Sequence, residues 1–172
     1  MFYIIKATEK DHKTIVSLGN VTVEEAHRDS CSAEDLKEYL GANYNEEAIK
    51  AELRNADNIY HIIYYNEKPA GFSKIIFNAE YANIAEKHVT KLDRIYLLSE
   101  FFNMKLGVEL LKFNTELAKQ HDQSGIWLFT WVGNERAVKF YKKAGFEIIG
   151  SHNFQVSASH YNLNHQMYLK LN

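Results

Sequence analysis

The run Asn134-Glu135-Arg136-Ala137-Val138-Lys139-Phe140-Tyr141-Lys142-Lys143-Ala144-Gly145-Phe146 follows a strand-like stretch that ends Trp131-Val132-Gly133. Its residue types fit a short helix with a chemical purpose. Asn134 can cap the helix by accepting a hydrogen bond from a free N–H of the first turn. Ala137 permits close helix approach, and Gly145 suits the residue just past the end. Phe140 and Tyr141 are adjacent, so they point to different sides. One can enter the core while the other faces a cleft. The competing reading of Tyr141 is a half-buried core tyrosine.

A second segment lies about 30 residues earlier. The apolar strand Leu92-Asp93-Arg94-Ile95-Tyr96-Leu97-Leu98 feeds a turn, Phe102-Asn103-Met104-Lys105-Leu106-Gly107, at the start of a long helix. A helix start presents free main-chain N–H groups and the positive end of the dipole, which together bind phosphate whatever the side chains are. Lys105 either obstructs an anion there or swings outward and adds a charge contact.

Other chemistry is poorly supported. None of the eight histidines forms H-x-x-x-H or H-E-x-x-H, so no metal site is expected. His152, His160 and His165 fall near the C-terminal strands, where they either border a binding site or are ordinary satisfied histidines. The single cysteine, Cys31, lacks the features of an activated thiol and excludes an internal disulfide. No serine sits in G-x-S-x-G. Trp127, Phe129 and Trp131 alternate on one strand as core residues do.

These groups must be positioned by the elements around them. Strands are expected over Phe2–Ala7, Ile59–Tyr65, Ala70–Ile76, Val89–Leu98, Ile126–Val132, Phe146–Phe154 and Tyr161–Leu171. The second and third form a hairpin across Asn66-Glu67-Lys68-Pro69, and Gly150-Ser151-His152-Asn153 is placed to bend the sixth. A helix follows Thr8, with Ile15, Val16 and Leu18 inward, and broken helical segments run from about Thr22 to Asn55. Ser32 is an N-cap there. The longest helix is expected from Asn103 to His121, with Leu106, Leu110, Phe113 and Leu117 on its buried face. Val89 to Val132 should be a right-handed parallel strand–helix–strand unit. Interleaved strands and helices imply an α/β (α+β) layered domain.

Composition agrees with one domain spanning residues 1–172. The chain has 46% hydrophobic and 24% charged residues, as globular proteins do. Its 20 basic and 22 acidic side chains give a net charge of −2, which provides no global field toward nucleic acid or an anionic membrane. No apolar run reaches the roughly 20 residues of a membrane span. The start, Met1-Phe2-Tyr3-Ile4-Ile5-Lys6, is too soon charged for a signal peptide, so the cytoplasm is the expected compartment.

The pattern N-x-x-A-x-x-F-Y-x-K-x-G-F from Asn134 to Phe146 resembles the last motif of the GNAT superfamily of acyl-CoA-dependent N-acyltransferases. The turn Phe102–Gly107 resembles that superfamily's cofactor turn, [Q/R]-x-x-G-x-[G/A], with Phe102 at the first position, Lys105 at the first glycine and only Gly107 kept. Within the superfamily the likeness is to PaiA-type polyamine N-acetyltransferases, through Ser32–Leu40, Asp93–Tyr96 and Gly150–Phe154. The resemblance implies a mixed, mostly antiparallel seven-stranded sheet with a central parallel pair, splayed and flanked by helices. It implies acetyl-CoA as cosubstrate, without a metal, and a small amine as acceptor. Tyr96, Leu97, Leu98, Phe102, Asn103, Met104, Lys105, Leu106, Gly107, Asn134 and Tyr141 would bind the cofactor. A backbone N–H near Leu97 would polarise the thioester carbonyl, and Tyr141 would protonate the leaving thiolate. Asp93 is a candidate base acting through water, sharing a strand face with Ile95 and Leu97; its alternative is a pair with Arg94 or a lysine. The rival function is a non-catalytic acyl-CoA or metabolite-binding domain, and dimerisation is left open.

Overall fold

The computed structural model describes residues 1–172. Strand β1 (Phe2–Lys6) is followed by three helices, α1 (His12–His27), α2 (Ala33–Asn43) and α3 (Glu46–Arg54). Next come β2 (Ile59–Tyr65), β3 (Lys68–Ile76) and β4 (Val89–Leu97), then α4 (Leu106–Gln120), β5 (Gly125–Trp131), α5 (Glu135–Lys143), β6 (Glu147–Gln155) and β7 (Tyr161–Lys170). Ser32 and Asn134 cap helices as the sequence placed them, accepting from the Asp35 and Ala137 N–H groups, and Asn45 caps α3 by accepting from Ala48. Thr8 caps a short 3-10 turn, and α1 begins only at His12.

The seven strands form one sheet in the order β1-β2-β3-β4-β5-β7-β6. Every neighbouring pair is antiparallel except β4 and β5. Helices cover both faces. Ile15, Leu18, Leu36 and Ile49 from α1–α3 pack on Tyr60, Ile62 and Phe72. On the opposite face Leu106, Leu110 and Leu111 of α4, with Tyr141 of α5, pack on Ile63, Ile75, Leu92 and Leu128. Gly150 marks a register irregularity in β6, where a bend was expected.

Three details depart from the sequence expectation. The long helix starts at Leu106, three residues late, because Asn103 (φ 66°) and Lys105 (φ 63°) take left-handed conformations that no helix continues through. Phe113 is not on its buried face: it is 37% exposed and meets His61 edge-on, while Leu111, Asn114 and Ala118 face inward. Asn114 was hidden from a hydrophobic pattern because it is polar. It is satisfied by donating to Ser73 Oγ (2.9 Å) and to the Leu110 carbonyl (2.9 Å).

The third departure concerns Asp93. In β4 the pairing with β3 slips: Lys74 faces Arg94, but Ile75 faces Leu92, which leaves Asp93 as an extra residue. This bulge breaks the strict alternation of faces. Ile95 and Leu97 pack toward α4, whereas Asp93 turns to the other face, where Lys74 lies. Asp93 therefore does not share the face of Ile95 and Leu97.

Candidate active site

The parallel pairing of β4 with β5 covers only Val89–Gly125, Thr90–Ile126 and Lys91–Trp127. Beyond Lys91 the strands part. β4 continues along β3, and β5 along β7. A cavity of about 1490 Å³ runs through this opening. On the α4 side it is lined by Phe102, Lys105, Gly107, Arg136 and Tyr141; on the other side lie His27, Tyr39, Asp93, Arg94, Trp131 and Phe154. Because the Leu98 N–H donates to the Ala70 carbonyl (2.9 Å) and successive strand residues alternate edges, the Leu97 N–H is directed toward the opening.

The α4 mouth is built to meet negative charge. Lys105, the residue before α4, holds φ 63° and ψ 4°, a conformation glycine adopts without strain. The first N–H groups of α4 lack helical acceptors there. Arg136, near the start of α5, stacks its guanidinium 3.3 Å from the centre of the Phe102 ring and forms no ion pair. A side chain at Gly107 would bring Cβ within 3.1 Å of Leu97 Cδ1, so the backbone of α4 approaches β4 closely at this point. Among the residues expected at a cofactor, Tyr96, Leu97, Phe102, Asn103, Lys105, Leu106, Gly107, Asn134 and Tyr141 line the cavity. Leu98 and Met104 do not: Leu98 packs between the two cores, and Met104 is exposed.

Tyr141 is 8% exposed, set between Phe140 and Phe146, and reaches the cavity wall. Burial alone pushes its phenol up, with no charged neighbour involved. It rests protonated at neutral pH and has a proton to give.

The far chamber has a charged floor and aromatic walls. Lys91 Nζ contacts Asp93 Oδ1 (2.8 Å), and Asp93 Oδ2 contacts Lys74 Nζ (3.1 Å). Lys74 also reaches Glu52 (2.9 Å), which Arg94 holds from its other side (3.0 Å). Tyr60 donates to Glu52 and accepts from Arg94 Nη1 (2.6 Å). Burial by itself would raise the Asp93 carboxyl; Lys74, Lys91 and Arg94 outweigh it and hold it at about 2. A carboxylate that releases its proton so readily is a weak base. The pairing with lysines, the alternative expected for Asp93, is what its geometry displays, because the bulge swings it onto Lys74. His27 lies beside Tyr96 (Nε2 to the hydroxyl, 3.3 Å) and Trp131, and burial pushes its imidazole down to about 4.

Residues 20–146 match the model of the acetyltransferase (GNAT) family. The chain belongs to the GNAT family. An uncharacterised N-acetyltransferase in the pepI 3′ region of Lactobacillus delbrueckii subsp. lactis is 24% identical over 151 residues, covering 88% of this chain and 87% of the relative. The fold resembles that of a PaiA N-acetyltransferase from Thermoplasma acidophilum, solved in complex with coenzyme A (TM-score 0.77, 19% identity, 99% of each chain). It also resembles the ribosomal-protein-S18-alanine N-acetyltransferase of Escherichia coli (TM-score 0.71, 14% identity, 99% of this chain and 94% of the other).

Against the GNAT turn, Lys105 replaces a glycine yet keeps a left-handed backbone, so the departure in sequence leaves the turn's shape available. Several cavity residues carried no signal in the sequence. Glu52, Lys74, Lys91 and His27 come from α3, β3, β4 and α1, and no local spacing links them. Of the C-terminal histidines, none lines the cavity: His152 stacks on Phe129, and His160 bonds the Ser30 carbonyl (2.9 Å). No group of three or more His, Cys, Asp or Glu side chains converges anywhere as metal ligands would.

Proposed function

We propose that this GNAT protein is an N-acetyltransferase that uses acetyl-CoA to acetylate a primary amine of a small molecule by direct attack in a ternary complex. The observation that carries the reading is the parting of β4 and β5 beyond Lys91, with the Leu97 N–H directed to the opening and the Tyr141 phenol on its wall. When bound, acetyl-CoA supplies an acetyl group activated as a thioester. The residues at the α4 mouth fit its phosphates: the free N–H groups of the turn, the Lys105 ammonium and the unpaired Arg136 guanidinium.

In this site the Leu97 N–H stabilises charge developing on the carbonyl oxygen. The amine must arrive neutral. A free alkylammonium titrates near 10.4, so about 1 in 2,500 is neutral at pH 7, a deficit of roughly 4–5 kcal/mol. The aromatic walls strip water from the ammonium, and the cations of the floor disfavour its charge, which both lower its pKa. Its proton leaves to water through the open chamber. As the C–N bond forms and the C–S bond breaks, Tyr141 passes its proton to the departing sulfur and regains one from solvent. In water a phenol near 10 would not protonate a free thiolate near 8.5, and burial raises this phenol further; the proton therefore moves in concert with C–S cleavage, with solvent restoring the phenol.

Polyamines enter as an acceptor class through the fold likeness to a PaiA N-acetyltransferase. The test of the reading is thiol release from acetyl-CoA across an amine panel, with Tyr141→Phe beside it. The variant should lose about 10²–10⁴ in rate and keep its CoA affinity by calorimetry. CoA binding without release from any amine would favour the rival binding-module reading, and an unchanged rate would remove Tyr141 from the chemistry.

A further inference from the structure

We infer that the acceptor is a primary amine carrying a carboxylate or another anionic group, which Lys91 receives; this rests on the acetyl transfer proposed above. The floor of the chamber is a closed ring of alternating charge, Asp93–Lys74–Glu52–Arg94, the last returning to Asp93 at 3.8 Å, with Lys91 attached at Asp93. Three cations thus face two carboxylates. Two of the cations are used up. Lys74 sits between both carboxylates, and Arg94 is engaged by Glu52 and Tyr60 and stacked on Tyr44. Lys91 is different. Its ammonium has one carboxylate contact, at 2.8 Å, leaving donors to spare, and its side chain is 27% exposed to the cavity it lines. It lies 5.3 Å from the Trp127 ring centre and 5.8 Å from that of Phe129, which fix it at the base of the opening.

No carboxylate besides Asp93 and Glu52 contacts these three cations. Burial pushes the phenols of Tyr39, Tyr44, Tyr60 and Tyr96 up, so they stay neutral, and His27 is neutral as well. Glu25, at the rim, keeps its charge but contacts none of the three cations, accepting instead from the Ser99 N–H (3.1 Å) and hydroxyl (2.7 Å). A diamine would carry a second ammonium into a positive, partly dry chamber. An amino carboxylate instead neutralises Lys91 while its amine points to the opening. A hydrogen bond to a charged group changes binding by about 10- to 100-fold.

The experiment compares kcat/KM for thiol release with butylamine, putrescine, γ-aminobutyrate and a set of α-amino acids, in the wild type, Lys91→Gln and Lys91→Arg. An amino carboxylate should lead putrescine and butylamine by about tenfold or more. Lys91→Gln should erase that lead, and Lys91→Arg should retain it. Should Lys91→Gln fail to fold, ionic strength decides on the wild type: the amino carboxylate's advantage should shrink with added salt while the butylamine rate holds. Putrescine matching or beating every amino carboxylate overturns the inference while leaving acetyl transfer standing. A lead that survives in Lys91→Gln, or is indifferent to salt, overturns it too. Release from none of these amines, with CoA still bound, fells the transfer itself and the inference with it.

Discussion

Replacing Asp93 by Asn separates a structural carboxylate from a catalytic one. In the folded chain the Asp93 carboxyl is held at about 2, below its ordinary 3.8, because Lys74, Lys91 and Arg94 overcome the opposing effect of burial. That difference corresponds to about 2 kcal/mol of native-state stability at neutral pH. The sign follows from proton binding: the unfolded chain takes up the proton first as pH falls. The stabilisation is therefore complete above about pH 5 and is lost as pH drops through about 2. Asp93→Asn should unfold in urea with about 2 kcal/mol less stability than the wild type at pH 7, and more if Lys74 is left short of a partner. The gap should close toward pH 2, where a protonated Asp and an Asn are near-isosteres. Parallel urea titrations at several pH values measure it. Equal stability at pH 7, or a gap that does not move with pH, would refute the network. Wild-type stability combined with a 10²–10⁴-fold loss of thiol release would return the base role to Asp93.

Further outcomes are expected. Lys105→Gly should stabilise the fold by about 0.5–1 kcal/mol, the relief of left-handed strain less the entropy glycine adds to the unfolded chain; a destabilised variant in thermal unfolding would show that the Lys105 side chain supports the turn. Arg136→Ala should weaken CoA binding by about two- to fivefold, as loss of one exposed cation does, and an unchanged calorimetric Kd would remove Arg136 from the phosphates. His27 and His61 should remain neutral in NMR titrations until about pH 4, burial being the main cause at both. The unfolded imidazoles bind protons from about 6.5 downward, so stability from these two groups should fall between about pH 6.5 and 4; a titration of either ring near 6.5 would contradict its burial.

Local signals exposed much of the fold. Hydrophobic periods of two and near four located the strands and helices, and Ser32 and Asn134 announced helix starts through cap chemistry alone. The segment Asn134–Phe146 also pointed to Tyr141, because its spacing is carried on one short helix. Phe113 misled for a reason of the same kind: apolar spacing marks a stripe on α4 but not how the helix is rolled against the sheet. Asn114 took the inward position because Ser73 waited there to receive it.

What lay in neighbouring residues was therefore determined by the chain alone: the order of elements, the capped helix bearing Tyr141, and a turn preceding α4 whose N–H groups suit an anion. The tertiary structure decided the rest. One extra residue in β4 reversed the face of Asp93, and three paired residues, not a full ladder, set where β4 leaves β5. The charged floor is assembled from α3, β3 and β4, residues up to 42 positions apart. Charge balance inside a chamber is a sum over space, and adjacency in sequence does not report it; only packing at near-ångström precision places a third cation beside two carboxylates.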